Sequence, residues 1–209
     1  MQPAKTDKRK MQDAAELLIF SSIGALCVIC TVDGIFGTTF LAQALATLRP
    51  HTWNFALGIT LGLAHDYVSS AVWFVAARFF PPAPPYDFNM PRRLGALSLA
   101  CALRAACEEI VYRAVMQTIL GLVPAMVAFA AAHYYTRRAW SDVFMTSLSA
   151  IGYGLVYYYT GSLWVCITMH ATFNLLCFAH NIAYENAMAG ESSASITGSS
   201  GPHTDNYQE

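Results

Sequence analysis

Long apolar runs, broken by short polar or proline-rich stretches, set the pattern of this chain. A helix that crosses the hydrocarbon layer needs about 20 largely apolar residues. Runs at 14–32, 55–80, 94–121, 122–140, 142–160 and 162–181 meet that length. They predict an all-α fold, a polytopic transmembrane helix bundle of about six spans. The stretch 33–50, "DGIFGTTFLAQALATLRP", is apolar but rich in Gly and Thr and is bounded by Asp33 and Pro50. A seventh span, a re-entrant piece and an interfacial helix all suit it. Five prolines in the thirteen residues "PPAPPYDFNMPRR" exclude helix there and divide the chain. The predicted organisation is N-terminal membrane helices and a Pro-rich linker over 1–93, a four-helix core over 94–185, and a disordered polar tail over 186–209.

Composition agrees with the pattern. Hydrophobic residues make up 56% of the 209 and charged residues 12%, against about 25% charged in a soluble domain. Mean hydropathy is +0.40. Formal net charge is -1 and no basic stripe appears, which excludes a nucleic-acid partner and leaves the lipid bilayer as the expected one. With six spans, Lys5, Lys8, Arg9, Lys10, Arg78, Arg92, Arg93, Arg137 and Arg138 fall on one side of the membrane, leaving Arg49 as the exception. Asp13 and Glu16 adjoin the first apolar run and no small-x-small site follows it, so an uncleaved first helix is expected rather than a signal peptide. Cys27 and Cys30 have CxxC spacing, but all six cysteines lie in apolar runs, where cysteine serves as a small hydrophobe. Gly58 and Gly62 form a GxxxG that permits close helix approach. Beside them stand His65 and Asp66, polar neighbours within a span, which suit lining a cavity or bonding one another's surroundings, a structural role being expected ahead of a catalytic one.

The costly residues are those in "RAACEEIVYRAVM", Arg104 to Met116. An ionised group at mid-bilayer costs roughly 2.5–3.5 kcal/mol on insertion scales, so these groups should not face lipid. Glu109 and Arg113 are four apart and share a helix face, where they can pair. Glu108 points about 100° away, and Arg104, four before it, offers it a second pairing. Phe129 and His133 share a face in "FAAAH", as do His170 and Asn174 in "HATFN". One such histidine alone would be an ordinary buried imidazole bonded to a carbonyl. Groups of this kind on three separate spans instead converge on an interior or wet cavity. A carboxylate can serve as general base, imidazoles can orient water or bind a metal, and an amide can donate to an oxyanion. No serine or cysteine stands beside a base as nucleophile. Water-driven hydrolysis of an amide follows from this inventory.

"EEIVYR", "FAAAH" and "HATFN", in that order, resemble the EExxxR, FxxxH and HxxxN motifs of the CPBP (Abi) family of intramembrane proteases, which includes the CAAX prenyl endopeptidases. The resemblance covers about residues 94–181 and implies a membrane endopeptidase whose site lies between helices. It implies Glu108 as the base acting on water with help from His133, His170 and Asn174 on the oxyanion, and Glu109–Arg113 as a structural pair. The implied substrate is a prenylated CAAX-tail protein, trimmed of its last three residues. The implied location is the endoplasmic reticulum membrane in a eukaryote or the plasma membrane in a bacterium. No cofactor is favoured. Zinc is the alternative, held by Glu108, His133 and His170, though the HExxH spacing of zinc proteases is absent. Arg104 departs from the family, standing where a small residue or proline is expected. Two non-hydrolytic readings remain beside this one: a membrane scaffold of the same fold, and a proton or ion transporter built on buried Glu, Asp and His.

Overall fold

The computed structural model describes residues 51–80, 93–137 and 140–198, together with Gly34. The expected first span at 14–32, the ambiguous stretch 33–50 apart from Gly34, most of the Pro-rich linker and the chain from 199 onward lie outside the described residues, as does the Cys27–Cys30 pair. All regular structure among the described residues is helical. The elements are α1 (Thr52–Ala76), α2 (Leu94–Glu109), a π-helical stretch (Ile110–Gln117), α3 (Thr118–Leu120), α4 (Leu122–Arg137), α5 (Trp140–Thr160) and α6 (Leu163–Gly198).

Two glycines make the tight breaks. Gly121, at φ +89°, separates α3 from α4, and Gly161, at φ +59°, separates α5 from α6. Both conformations are strained for any residue with a Cβ. Gly161 donates its N–H to the Tyr157 carbonyl at 2.9 Å, closing α5. Ser162 then opens α6, its hydroxyl accepting the Val165 N–H at 3.5 Å, the bond that makes serine a good N-cap. Pro124 falls in the first turn of α4, where its missing N–H has no intrahelical acceptor to lose.

The sequence-based picture changes at three points. A bundle of about six spans is not established: among the described residues one helix, Leu163–Tyr184, is long and apolar enough to cross a membrane, and Leu122–His133 is apolar but shorter. The run 94–121 is not one uniform α-helix, because the eight residues Ile110–Gln117 adopt the wider π geometry. The Thr118 hydroxyl, bonded to the Arg113 carbonyl five residues back at 3.3 Å, lies in this region. Such insertions leave no mark in hydrophobic periodicity, and they occur frequently at functional sites. Finally, α6 continues to Gly198, so the first part of the polar stretch 186–209 is helix rather than irregular chain. Residues from Leu176 onward form a compact unit of their own, and the candidate site lies wholly within the other unit.

Burial along α1 runs opposite to that of a helix dissolved in water. Its buried positions are Gly58, Gly62, His65, Ser69 and Ala76, while Trp53, Tyr67 and Phe74 are each more than 70% exposed. The GxxxG pair packs on α6. A Cβ at Gly58 would lie 2.6 Å from the Thr168 Cβ and 2.8 Å from the Val165 carbonyl oxygen, and one at Gly62 would lie 2.8 Å from the Met169 carbonyl oxygen. Backbone cannot yield as a flexible side chain can. Gly58→Val should therefore cost about 1–3 kcal/mol, the range for overpacking. Thermal unfolding in detergent measures this, and a midpoint equal to the parent's would mean that α1 does not bear on α6. On the next turn the His65 Nε2 meets the Ser149 hydroxyl of α5 at 2.9 Å, and the imidazole packs edge-on to Phe173. His65 thus ties α1 to α5, the structural role expected of it. Asp66, its neighbour, is half-buried.

Candidate active site

The end of α2 and the π-helical turn present two glutamates in different surroundings. Glu109 is fully buried and its Oε2 accepts the Arg113 Nε–H at 3.1 Å, with Arg113 also fully buried. Opposite charges so close compensate one another where neither alone could be desolvated. Arg113 reaches further. Its Nη1 approaches the Gln117 side-chain Oε1 at 3.5 Å, and the Gln117 Nε2 donates to the Gly154 backbone carbonyl of α5 at 2.9 Å. Gly154 has no Cβ because one would lie 2.6 Å from the Leu122 Cδ1 and 3.5 Å from the Arg113 Nη1. The guanidinium also lies 5.3 Å from the centroid of the Phe129 ring, a favourable cation–π placement. The pairing expected from the four-residue spacing is thus one link of a chain from α2 to α5.

Glu109 has a second partner that spacing could not reveal. Its Oε1 lies 2.8 Å from the Nδ1 of His170, sixty-one residues away on α6. A carboxylate only accepts, so Nδ1 carries the proton and the His170 Nε2 is turned the other way. Tyr153 of α5 stacks on this imidazole with centroids 4.6 Å apart and planes 20° from parallel. Phe129 packs at its edge at 6.1 Å. Bonded on one side and stacked on a face, the ring has little freedom to rotate.

His133 is oriented by its own helix. Its Nδ1 lies 2.9 Å from the Phe129 carbonyl oxygen, one turn back. A carbonyl cannot donate, so here too Nδ1 holds the proton and Nε2 is the bare nitrogen. The Phe129 ring supports the imidazole at 4.6 Å and is itself held edge-on by Tyr112 at 4.8 Å. The phenylalanine of "FAAAH" therefore supplies both a carbonyl and a ring to the histidine that follows it.

Both Nε2 atoms face one oxygen. The Glu108 Oε2 lies 3.9 Å from the His133 Nε2 and 3.8 Å from the His170 Nε2. These separations exceed a hydrogen bond, and Oε2 is buried without a hydrogen-bond partner among the described residues. Burying an unsatisfied carboxylate oxygen is costly. A water between the Glu108 Oε2 and one of these imidazoles would satisfy that oxygen. The other oxygen, Oε1, accepts the Arg104 Nε–H at 2.8 Å, the second pairing the sequence allowed.

The same three atoms are the set that zinc would use. Bonds of about 2.0–2.1 Å at tetrahedral angles bring donors about 3.3 Å apart, closer than the 3.8 and 3.9 Å found. No cluster of three or more His, Cys, Asp or Glu among the described residues is placed to hold a metal ion. No chemical step below passes through a metal.

Of the residues singled out from sequence, Glu108, His133 and His170 are brought together, with Glu109 and Arg113 behind them. Asn174 is half-buried one turn beyond His170, and no hydrogen bond among the described residues joins its carboxamide to the cluster. Tyr153, Gln117 and Gly154 were not anticipated. Tyr153 and Gly154 stand in an apolar run, "IGYGLV", with no motif to mark them.

The described helices thus set a half-buried carboxylate against two oriented imidazoles. Residues 91–176 match the family model of type II CAAX prenyl endopeptidase Rce1-like proteins, in agreement with the resemblance carried by the three motifs. Over 84 residues, 40% of this chain, it is 36% identical to a Bacillus subtilis (strain 168) protein named "Uncharacterized protein YpbD". That match spans 44% of the length of the Bacillus protein. No solved structure matches the chain.

Proposed function

We propose that this protein is an intramembrane endopeptidase that cuts a peptide bond with water activated by Glu108 and His133, removing the C-terminal tripeptide of prenylated CAAX proteins. The observation that carries the reading is the Glu108 Oε2, buried, without a hydrogen-bond partner among the described residues, and faced by the Nε2 atoms of His133 and His170. The Rce1-like match supports protease chemistry at the level of the family.

The steps follow from the donors and acceptors. Water held between the Glu108 Oε2 and the His133 Nε2 gives up a proton to the carboxylate as its oxygen adds to the scissile carbonyl carbon. The charge that develops on the carbonyl oxygen needs donors. His170 can donate from Nε2 when its ring is doubly protonated, and the Glu109 carboxylate on Nδ1 is the counter-charge for that form. The Asn174 amide, one turn along, is the second donor. The carbon–nitrogen bond then breaks as Glu108 returns its proton to the leaving amine, so the carboxylate ends as it began.

Residence in a membrane, with several spans, belongs to the same proposal. The small and polar residues buried along α1, and the large apolar ones on its outside, suit a helix solvated by lipid. A prenylated tail partitions to that interface and delivers its peptide there. The membrane would be that of the endoplasmic reticulum in a eukaryote and the plasma membrane in a bacterium.

The test is tripeptide release from a farnesylated reporter by the purified full chain in detergent, read by mass spectrometry. Release is expected to continue after exhaustive treatment with a strong chelator, because the carboxylate and imidazoles suffice for water activation. A loss of activity that added zinc restores would overturn the metal-free mechanism. Folded protein that releases nothing would overturn the assignment of function.

A further inference from the structure

We propose that His65 of α1 is a positioning residue for His170, acting through the ring of Tyr153. Its effect on turnover rests on reading the site as an endopeptidase, whereas the orientation of the imidazole does not.

His65 is a buried histidine that the proposed reaction leaves without a part, and it lies outside the family-matched stretch 91–176. Yet it touches both helices that carry the stacked pair. On α5 its Nε2 meets the Ser149 hydroxyl at 2.9 Å, and its ring tilts against that of Tyr153 with centroids 5.3 Å apart. A Cβ at Gly152 would lie 3.5 Å from its Nδ1 and Cε1, so the chain between those two contacts also lies against the ring. On α6 it packs edge-on to Phe173 at 4.7 Å, three residues beyond His170. A tether between α1 and α5 needs only the bond to Ser149. The ring contacts are what a tether leaves unexplained.

The His170 imidazole needs more than its hydrogen bond to hold a direction. Among the described residues that bond is at Nδ1, 2.8 Å from the Glu109 Oε1. A ring held at one edge can still rock about the bond. Rocking carries Nε2 out of line with the Glu108 Oε2, which it faces at 3.8 Å. The Tyr153 ring, 4.6 Å away and 20° from parallel, removes that freedom on one face.

Tyr153 must itself be held. Its backbone is tied to α6, since its carbonyl accepts the Cys166 thiol at 3.7 Å. That bond fixes the main chain and leaves rotation of the ring to the side chains around it. Among these, Phe129 stands edge-on at 6.5 Å and His65 is nearer, at 5.3 Å. His65 therefore limits how Tyr153 can turn, and Tyr153 limits how His170 can rock.

The experiment reads the Nδ1 proton that His170 shares with Glu109, a low-field proton resonance of the full chain in detergent, assigned by its absence from His170→Gln. His65→Gln removes the ring while its amide can still bond Ser149. It should shift or broaden the resonance and lower kcat on the farnesylated reporter by about 2- to 10-fold, with KM within about twofold, the bias that one aromatic pair supplies. Tyr153→Leu should act more strongly, by about 10- to 100-fold in kcat, the penalty of a misplaced catalytic group. Tyr153→Phe, which keeps the flat ring, should recover most of that loss. Because His65 acts through Tyr153, the double variant of His65→Gln with Tyr153→Leu should be no slower than Tyr153→Leu alone, whereas independent effects would multiply. Should Tyr153→Leu fail to fold, the resonance in His65→Gln decides by itself.

A residue that only ties α1 to α5 would lower the unfolding midpoint and leave the resonance where it was. An unchanged resonance in folded His65→Gln, or effects that multiply in the double variant, would overturn the proposal. If no reporter is ever cut, the hydrolase reading fails, while a resonance moved by His65→Gln still upholds the positioning.

Discussion

Glu108→Gln should reduce tripeptide release by at least about 10²- to 10⁴-fold, the contribution of a general acid–base group, while the protein remains folded. Glutamine occupies the same volume, and its carbonyl oxygen can still accept from Arg104, so the contact at 2.8 Å has a replacement. What disappears is the oxygen that can take a proton from water. Glu108 is partly exposed at 19%, and its Oε2 is buried without a hydrogen-bond partner among the described residues. Losing its charge should therefore not expose a new unpaired group in the interior. The measurement pairs initial rates with thermal unfolding in the same detergent. Activity within a few-fold of the parent, at an unchanged midpoint, would remove Glu108 from the mechanism and leave His133 as the base to be tested.

The second large effect is on stability. Arg113→Met should cost about 3–5 kcal/mol, because it leaves Glu109 buried without its compensating charge. Both side chains are at zero exposure. The loss would also spread: Gln117 loses a contact, and Glu109, no longer held by Arg113, is free to alter its bond to the His170 Nδ1. Adding Glu109→Gln to Arg113→Met should recover part of the stability, since a neutral pair needs no counter-charge. It should recover little activity, because the imidazolium form of His170 would then lack its anion. Unfolding midpoints of the single and double variants, measured together, test this. A double variant less stable than Arg113→Met would mean that Glu109 has a role independent of the pair.

The legible part of the site was the local part. Four-residue spacing on a helix brings Glu109 to Arg113 and Arg104 to Glu108, and both contacts are present. It also brings Phe129 to His133, where the phenylalanine carbonyl orients the imidazole. The meeting of Glu108 with His133 and His170 was inferred from the cost of placing such groups in apolar runs, and they do meet. Spacing within one segment carries no information about a partner on another. The bond from Glu109 to His170, the stacking of Tyr153 and the bond from Gln117 to Gly154 therefore went unseen. The π geometry at Ile110–Gln117 was hidden for another reason: an extra residue in one turn changes the hydrogen-bond ladder while leaving composition and apolar content unaltered.

From the amino acids alone came the helical class, the apolar character, the bounds of the apolar runs, and the residues able to do acid–base chemistry, because each depends on neighbours a turn or less away. Tertiary structure decided what each carboxylate meets on the other helices. Glu108 and Glu109 are chemically identical and adjacent, yet Glu109 is fully buried between an arginine and a histidine while Glu108 turns an oxygen towards the Nε2 atoms of two imidazoles. Proton affinity, orientation and access are properties of surroundings, and here those surroundings are assembled from helices separated by up to sixty-one residues of chain.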